Sequence, residues 1–410
     1  MFSIFTNVGI ELPITVLLLA MMALRARVTP KTSLWIKTDP EKLWRLLDIY
    51  DGKMEQWGST TIRTDLIDAN TLSFKKTFIT TQPNGTVRTS DALFRVSARV
   101  ENEFIELIRQ GLEGKSENNE LLKITHHISA ENKGTRLKTA YHWGSRAIIA
   151  QLLARADLWG GAYRIKGLAE TGVPDERPYI QISALVALVT GLMSLGAFAL
   201  ILGLPAAFLL IFALFVHEFG HLLAYRLMGQ PWGRMVFLPF LGAMAMPRLP
   251  QESQGQTVFA ALMGPGFSAL LAILCMVPWM LGGQSNPYLI VLGLITAALN
   301  LFNLLPAEPL DGGVALRSVL TRMIGGKAQY GLLAIAAAIV VLGFVLDQIV
   351  LVMFGGLAAF VNLKPRKIDV GQIPLTSLQV GISALGYAAI GVSHISLLNF
   401  FVAQIGLLQQ

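Results

Sequence analysis

The sequence predicts a polytopic α-helical membrane protein of seven or eight spans, with a soluble α+β domain inserted after the first span. Three observations carry this prediction. Of 410 residues, 53% are hydrophobic and only 14% charged, a balance too apolar for an ordinary soluble protein of this length. Apolar stretches near the ~20 residues needed to cross a bilayer recur through the second half of the chain. Between the first stretch and the others, charges and turn residues return over residues 30–175. The expected organisation is a membrane anchor over 1–29, a cytoplasmic soluble domain over 30–175 and a polytopic membrane domain over 176–410.

The apolar stretches run over residues 8–24, 180–204, 205–228, 257–281, 287–307, 328–346 and 348–363, with one more near 380–403 in the uncharged tail. The first carries Glu11 and lacks a positive leader, so it reads as an anchor rather than a cleaved signal peptide. Lysine and arginine set the orientation. The connections at 203–205, 282–286 and 346–348 carry none, whereas Arg25, Arg27, Arg234, Arg248, Arg317, Arg322, Lys327, Lys364, Arg366 and Lys367 fall in the alternate loops. The N-terminus is therefore expected outside and the basic loops in the cytoplasm, with compact loops pointing to a bacterial inner membrane. The net charge of +7 then reflects basic loops facing an anionic leaflet of membrane lipid, and no nucleic acid is expected as a partner. Cys275 is the single cysteine, so there is no disulfide framework.

In the soluble region, "TDPEKLWRLLD" opens a helix with Asp39 as N-cap and Pro40 in the first turn. Alternating residues Phe94, Val96, Ala98 and Val100, then Ile124, His126 and Ile128, then Leu137, Thr139, Tyr141 and Trp143 read as strands, with turns at "PNG" and "NKG". Residues 145–171 read as a long closing helix. His126, His127 and His142 are expected as strand residues, and Trp44, Trp57 and Trp143 as core. This order of a short helix, antiparallel strands and a long helix resembles the START-like helix-grip fold over about a third of the chain. The resemblance implies a cavity for an apolar ligand.

Chemistry concentrates in "HEFGH", residues 217–221, at the end of an apolar run. Ionisable groups inside a membrane are costly unless paired, so their presence points to function. On a helix, His217 and His221 share one face a turn apart and can offer two imidazoles to one metal, while Glu218 sits beside them as a candidate general base. Catalytic zinc takes three protein ligands and leaves a position for water. The third ligand is sought in "NLLPAEPLDGG", residues 303–313, because the spans ending at 228 and 307 both run from outside to inside and finish on the same side. Asp311 is the leading candidate, flanked by Gly312 and Gly313, which permit close backbone packing. Glu308 is its rival. His394 is expected to pack against a neighbouring helix.

These two motifs together resemble the site-2 protease family of intramembrane zinc metalloproteases, over residues 180–365 and including the "ALMGPGFSALLA" stretch at 261–272. The resemblance implies one Zn2+ per chain held by His217, His221 and Asp311, with Glu218 as general base. It further implies a substrate backbone held by Asn303, and Gly264 and Pro265, in the family's glycine-proline segment, read equally as a substrate contact or as a kink that permits close helix approach. Three features depart from the family: no PDZ insertion is seen, the helix-grip-like domain is not part of the family core, and Glu308 adds a carboxylate where members often have an apolar residue.

A transmembrane substrate hides its backbone in its own hydrogen bonds, so cleavage requires local unwinding and a surface to accept the freed groups. The segment 229–248, broken by Gly229, Gly233 and Gly242, is expected to form a hairpin that adds the substrate as a strand. The function expected is endoproteolysis of a transmembrane protein segment near its cytoplasmic end, with the soluble domain regulatory. Two alternatives are a membrane-anchored lipid-binding protein without proteolysis, and a membrane-bound zinc peptidase acting on soluble peptides.

Overall fold

The computed structural model describes residues 29–57, 60–81, 87–110, 123–142, 148–248, 251, 253–283, 286–363 and 372–408. The expected first span, the "PNG" turn, Trp143 and the basic residues at 25, 27, 364, 366 and 367 lie outside the described residues. The chain divides into two compact units, the first ending at Val186 and the second beginning at Ala187.

The first unit contains β1 (Lys31–Ile36), α1 (Pro40–Leu47), β2 (Met54–Trp57), β3 (Thr60–Asp68), β4 (Ser73–Thr81), β5 (Val87–Val100), β6 (Phe104–Gln110), β7 (Lys123–Glu131), β8 (Gly134–His142) and α2 (Ile148–Thr171). The eight strands form one antiparallel sheet in the order β1-β8-β7-β6-β5-β4-β3-β2. Asp39 is extended at the N-cap of α1 but its side chain makes no capping bond. The helix is held by burial of Leu43, Trp44 and Leu47, and Pro40 supplies a φ already suited to the first turn. These side chains join Ile36, Phe74, Val96, Ile105, Leu107, Ile128, Leu137 and Ala169 of α2 in one core.

The alternation expected on β5 stops at Val96. The pairing register shifts between Val96 and Ala98, and beyond this bulge Ala98 and Val100 are exposed; one extra residue turns the following side chains to the other face. The β7–β8 turn is made by Asn132 and Lys133, with φ of 37° and 60°, the left-handed pair that a tight two-residue hairpin requires. Gly134 follows because a Cβ there would lie 2.6 Å from the Trp35 ring. His126 points into the unit and hydrogen-bonds Thr139 Oγ1 through Nδ1 at 2.9 Å, whereas His127 and His142 are exposed.

Downstream come α3 (Arg177–Leu202), α4 (Leu204–Leu227), β9 (Arg234–Leu238), β10 (Gly242–Met246), α5 (Gln254–Met280), α6 (Pro287–Asn303), α7 (Asp311–Ile324), α8 (Ala328–Val345), α9 (Ile349–Asn362) and α10 (Ser377–Leu408). Among the described residues, five helical stretches are long and apolar enough to cross a membrane. They are α3, α4, α5, Asp311–Val345 (which joins α7 and α8 through a 3-10 turn) and Ser377–Gly406 of α10. The stretches expected at 287–307 and 348–363 correspond to shorter apolar helices, α6 with 17 residues and α9 with 14. Helix α6 stops at Asn303 because Pro306 cannot extend it.

Helices α4 and α5 approach closely where Gly220 meets Gly264. A Cβ on Gly220 would run into the Met263 carbonyl and lie 3.1 Å from Gly264 Cα, so the small fourth residue of "HEFGH" allows the backbones to touch. Segment 229–248 forms the expected hairpin, β9 pairing with β10 from Arg234↔Met246 to Leu238↔Gly242. Its turn is set by left-handed Phe240 and by Gly242 at φ 111°.

Candidate metal centre

The centre is built from the middle of α4 and the first residue of α7. His217, Glu218 and His221 are 2%, 5% and 7% exposed, so three ionisable groups following the apolar run of α4 are almost wholly removed from solvent. Asp311 arrives at the start of α7, and one ligand atom from each of His217, His221 and Asp311 lies within 4.8 Å of the other two. Asp311 Oδ2 is 3.1 Å from His217 Nε2 and 3.4 Å from His221 Nε2.

Second partners fix the rings. Asn300 Nδ2 donates to the Thr296 carbonyl at 2.7 Å, which turns Oδ1 toward His217, whose Nδ1 donates to it at 2.7 Å. His221 Nδ1 donates to the Ala260 carbonyl, also at 2.7 Å. In the neutral rings both Nε2 atoms are then lone pairs, 3.1 Å apart and facing a carboxylate. Three electron-rich atoms repel at this separation in a buried site unless a cation lies among them, and two imidazoles with one carboxylate are a donor set that zinc takes. The residues therefore fit the metal that the sequence anticipates.

The loop before Asp311 is held from three sides. Tyr387 of α10 donates to the Leu304 carbonyl, Asn362 Nδ2 of α9 donates to the Pro306 carbonyl at 2.5 Å, and Arg317 of α7 pairs with Glu308. Glu308, the rival ligand, is thus engaged by a guanidinium and stands outside the group that converges on the two histidines. Gly312 and Gly313 are required by contact: a Cβ on the first would meet the Leu304 backbone and on the second the Ala307–Glu308 backbone.

A cavity of about 660 Å³ opens onto the centre. His217, Glu218, His221 and Asp311 line it together with Asn303, Gly242 and the rest of β10 from Ala243 to Ala245. The Ala245 backbone N–H is hydrogen-bonded to the Glu218 carboxylate. Leu214, Phe240, Leu299 and Phe302 supply apolar walls.

Of the residues singled out from sequence, Asn303 and Gly242 therefore face the cavity, while Gly264 and Pro265 are buried in α5 and are not among its lining residues. Gly264 packs under the imidazoles, where a Cβ would strike the His221 ring and lie 3.0 Å from His217 Cε1. The Pro265 carbonyl accepts from His394 Nε2 at 2.9 Å, so His394 packs between helices. Asn300 escaped the sequence reading. Its signal was the polar series Thr296, Asn300 and Asn303 at helical spacing in an apolar run.

Residues 205–287 match the family model of peptidase family M50. The chain is 32% identical over 139 residues to sll0528 of Synechocystis sp., assigned as a zinc metalloprotease, covering 33% of this chain and 36% of that protein. It is 29% identical over 168 residues to the zinc metalloprotease MJ0392 of Methanocaldococcus jannaschii, covering 40% of this chain and 47% of that one. The chain thus spans less than half the length of these curated relatives. Among solved structures, the site-2 protease from Methanocaldococcus jannaschii aligns at a TM-score of 0.30 and 23% identity, over 45% of this chain and 90% of the other.

Proposed function

We propose that this protein is a zinc-dependent intramembrane endopeptidase of the site-2 type, cleaving a transmembrane segment of a protein substrate near its cytoplasmic end. The observation that carries the reading is the convergence of His217, His221 and Asp311 beside Glu218, at the floor of a cavity walled by β10. The match of residues 205–287 to peptidase family M50 supports it.

The three side chains would hold one Zn2+, which when bound supplies a Lewis acid and acidifies water. The unwound substrate pairs along β10, which has β9 as its single sheet neighbour among the described strands, and Asn303 holds its backbone. Glu218 takes a proton from the attacking water as the new C–O bond forms at the scissile carbonyl. It returns that proton to the nitrogen as the C–N bond breaks, releasing carboxylate and amine. Asn300 and Ala260 hold the histidine rings in one tautomer throughout. The basic loops support a cytoplasmic active site and an N-terminus outside. Residues 30–175 regulate entry of substrate or sense an apolar ligand, and their deletion is expected to alter substrate choice or rate.

The test compares metal content and cleavage in detergent-purified wild type, Asp311→Ala, Glu308→Ala and Glu218→Gln, with a single-span peptide carrying helix-breaking residues in its cytoplasmic third as probe. Near one zinc per chain is expected in wild type and Glu218→Gln, lost in Asp311→Ala and kept in Glu308→Ala, with cleavage abolished by Glu218→Gln. Unchanged cleavage in Glu218→Gln with zinc retained would overturn the mechanism.

A further inference from the structure

We propose that Tyr225 is a further catalytic residue, whose phenol donates a hydrogen bond to the scissile carbonyl oxygen as that oxygen acquires negative charge; this rests on the proteolytic reading above. Tyr225 stands one turn after His221 and two after His217 on α4, the i, i+4 and i+8 positions of one helix face. Side chains on a helix lean toward its N-terminus, so the phenol reaches back over the turn that carries His221. It lines the same cavity as Glu218, His221 and Asp311, and it lies within electrostatic reach of both carboxylates.

The residue is 7% exposed, and its ring packs in the cluster formed by Leu214, Leu222, Met235 and Phe237. No described residue hydrogen-bonds its hydroxyl. A buried tyrosine ordinarily finds a partner for that group, because leaving it unpaired costs free energy. Here the ring is anchored and the donor is left facing a cavity whose walls offer no acceptor committed to it. The missing acceptor is an oxygen that arrives with the substrate. Glu218 is assigned to proton transfer and Asn303 to the resting backbone, so a donor for the developing oxyanion is a role that no other described side chain has been assigned. The bond is made to an existing oxygen and moves no electrons or atoms of its own.

Removing one such donor elsewhere lowers kcat by about 10²- to 10³-fold. Tyr225→Phe deletes only the oxygen, and the expected result with the single-span peptide probe is a fall in kcat of about 10²-fold with KM unchanged and zinc content at the wild-type level. A peptide phosphonamidate, which offers a tetrahedral oxyanion, should lose affinity by a similar factor, while a peptide thiol, which offers none, should bind as before. Wild-type kcat in Tyr225→Phe, or equal weakening of both inhibitors, overturns the inference. Loss of zinc or of the melting transition in Tyr225→Phe would make the residue structural and overturns it as well. If Glu218→Gln retains cleavage, the proteolytic reading fails; if Glu218→Gln is inactive and Tyr225→Phe is not, only this inference does.

Discussion

Asn300 Oδ1 lies 2.7 Å from His217 Nδ1, and the same amide is pinned by donation to Thr296 one turn earlier on α6. An uncharged side chain in an apolar helix thereby decides which nitrogen of His217 faces Asp311. Partners of this kind, one bond removed from a metal, commonly contribute ten- to hundred-fold in affinity. Asn300→Leu is therefore expected to weaken zinc binding by about that factor while leaving the melting transition in place. Competition against a chelator reads this directly, and an unchanged affinity would remove Asn300 from the centre.

Gly264 tests whether the imidazoles need the space under them. A methyl group there would collide with the His221 ring and crowd that of His217, so Gly264→Ala should abolish stoichiometric zinc. At Gly386 of α10 the corresponding Cβ would meet only Leu262 Cδ1 at 3.7 Å, an ordinary contact, and alanine gains about 1 kcal/mol over glycine within a helix. Gly386→Ala should keep its metal and melt no lower than wild type. Metal analysis of the two variants side by side checks the contrast.

His126 makes the first unit sensitive to acid. Burial, with Lys76 and His127 nearby, lowers its pKa to about 4, below the ordinary histidine value of about 6.5. The unfolded chain therefore takes up the proton first as pH falls. Stability associated with this site is complete above about pH 6.5 and is lost progressively down to about pH 4, by up to about 3 kcal/mol. Hydrogen exchange across β7 and β8, corrected for intrinsic rates, should accelerate over that window in wild type and much less in His126→Gln. Parallel curves for the two proteins would rule the histidine out as the cause.

Sequence alone determined the parts whose signal is local. Apolar runs, "HEFGH" and "LDGG" are contiguous, because a membrane span must be apolar along its length and a metal-binding helix must offer ligands at i and i+4. The hairpin at 229–248 and the helix at Pro40–Leu47 were legible for the same reason. Tertiary structure decided whatever depends on a neighbour distant in the chain. The exposure of Ala98 and Val100 follows from a bulge that has no mark in residue type. The role of Gly264 as a seat for imidazoles and the unpartnered phenol of Tyr225 arise where separate helices meet, and Glu308 is engaged by Arg317 where the loop before α7 folds back on that helix. Residue type records what a side chain can do, whereas packing across helices determines which of those capacities is left free for chemistry.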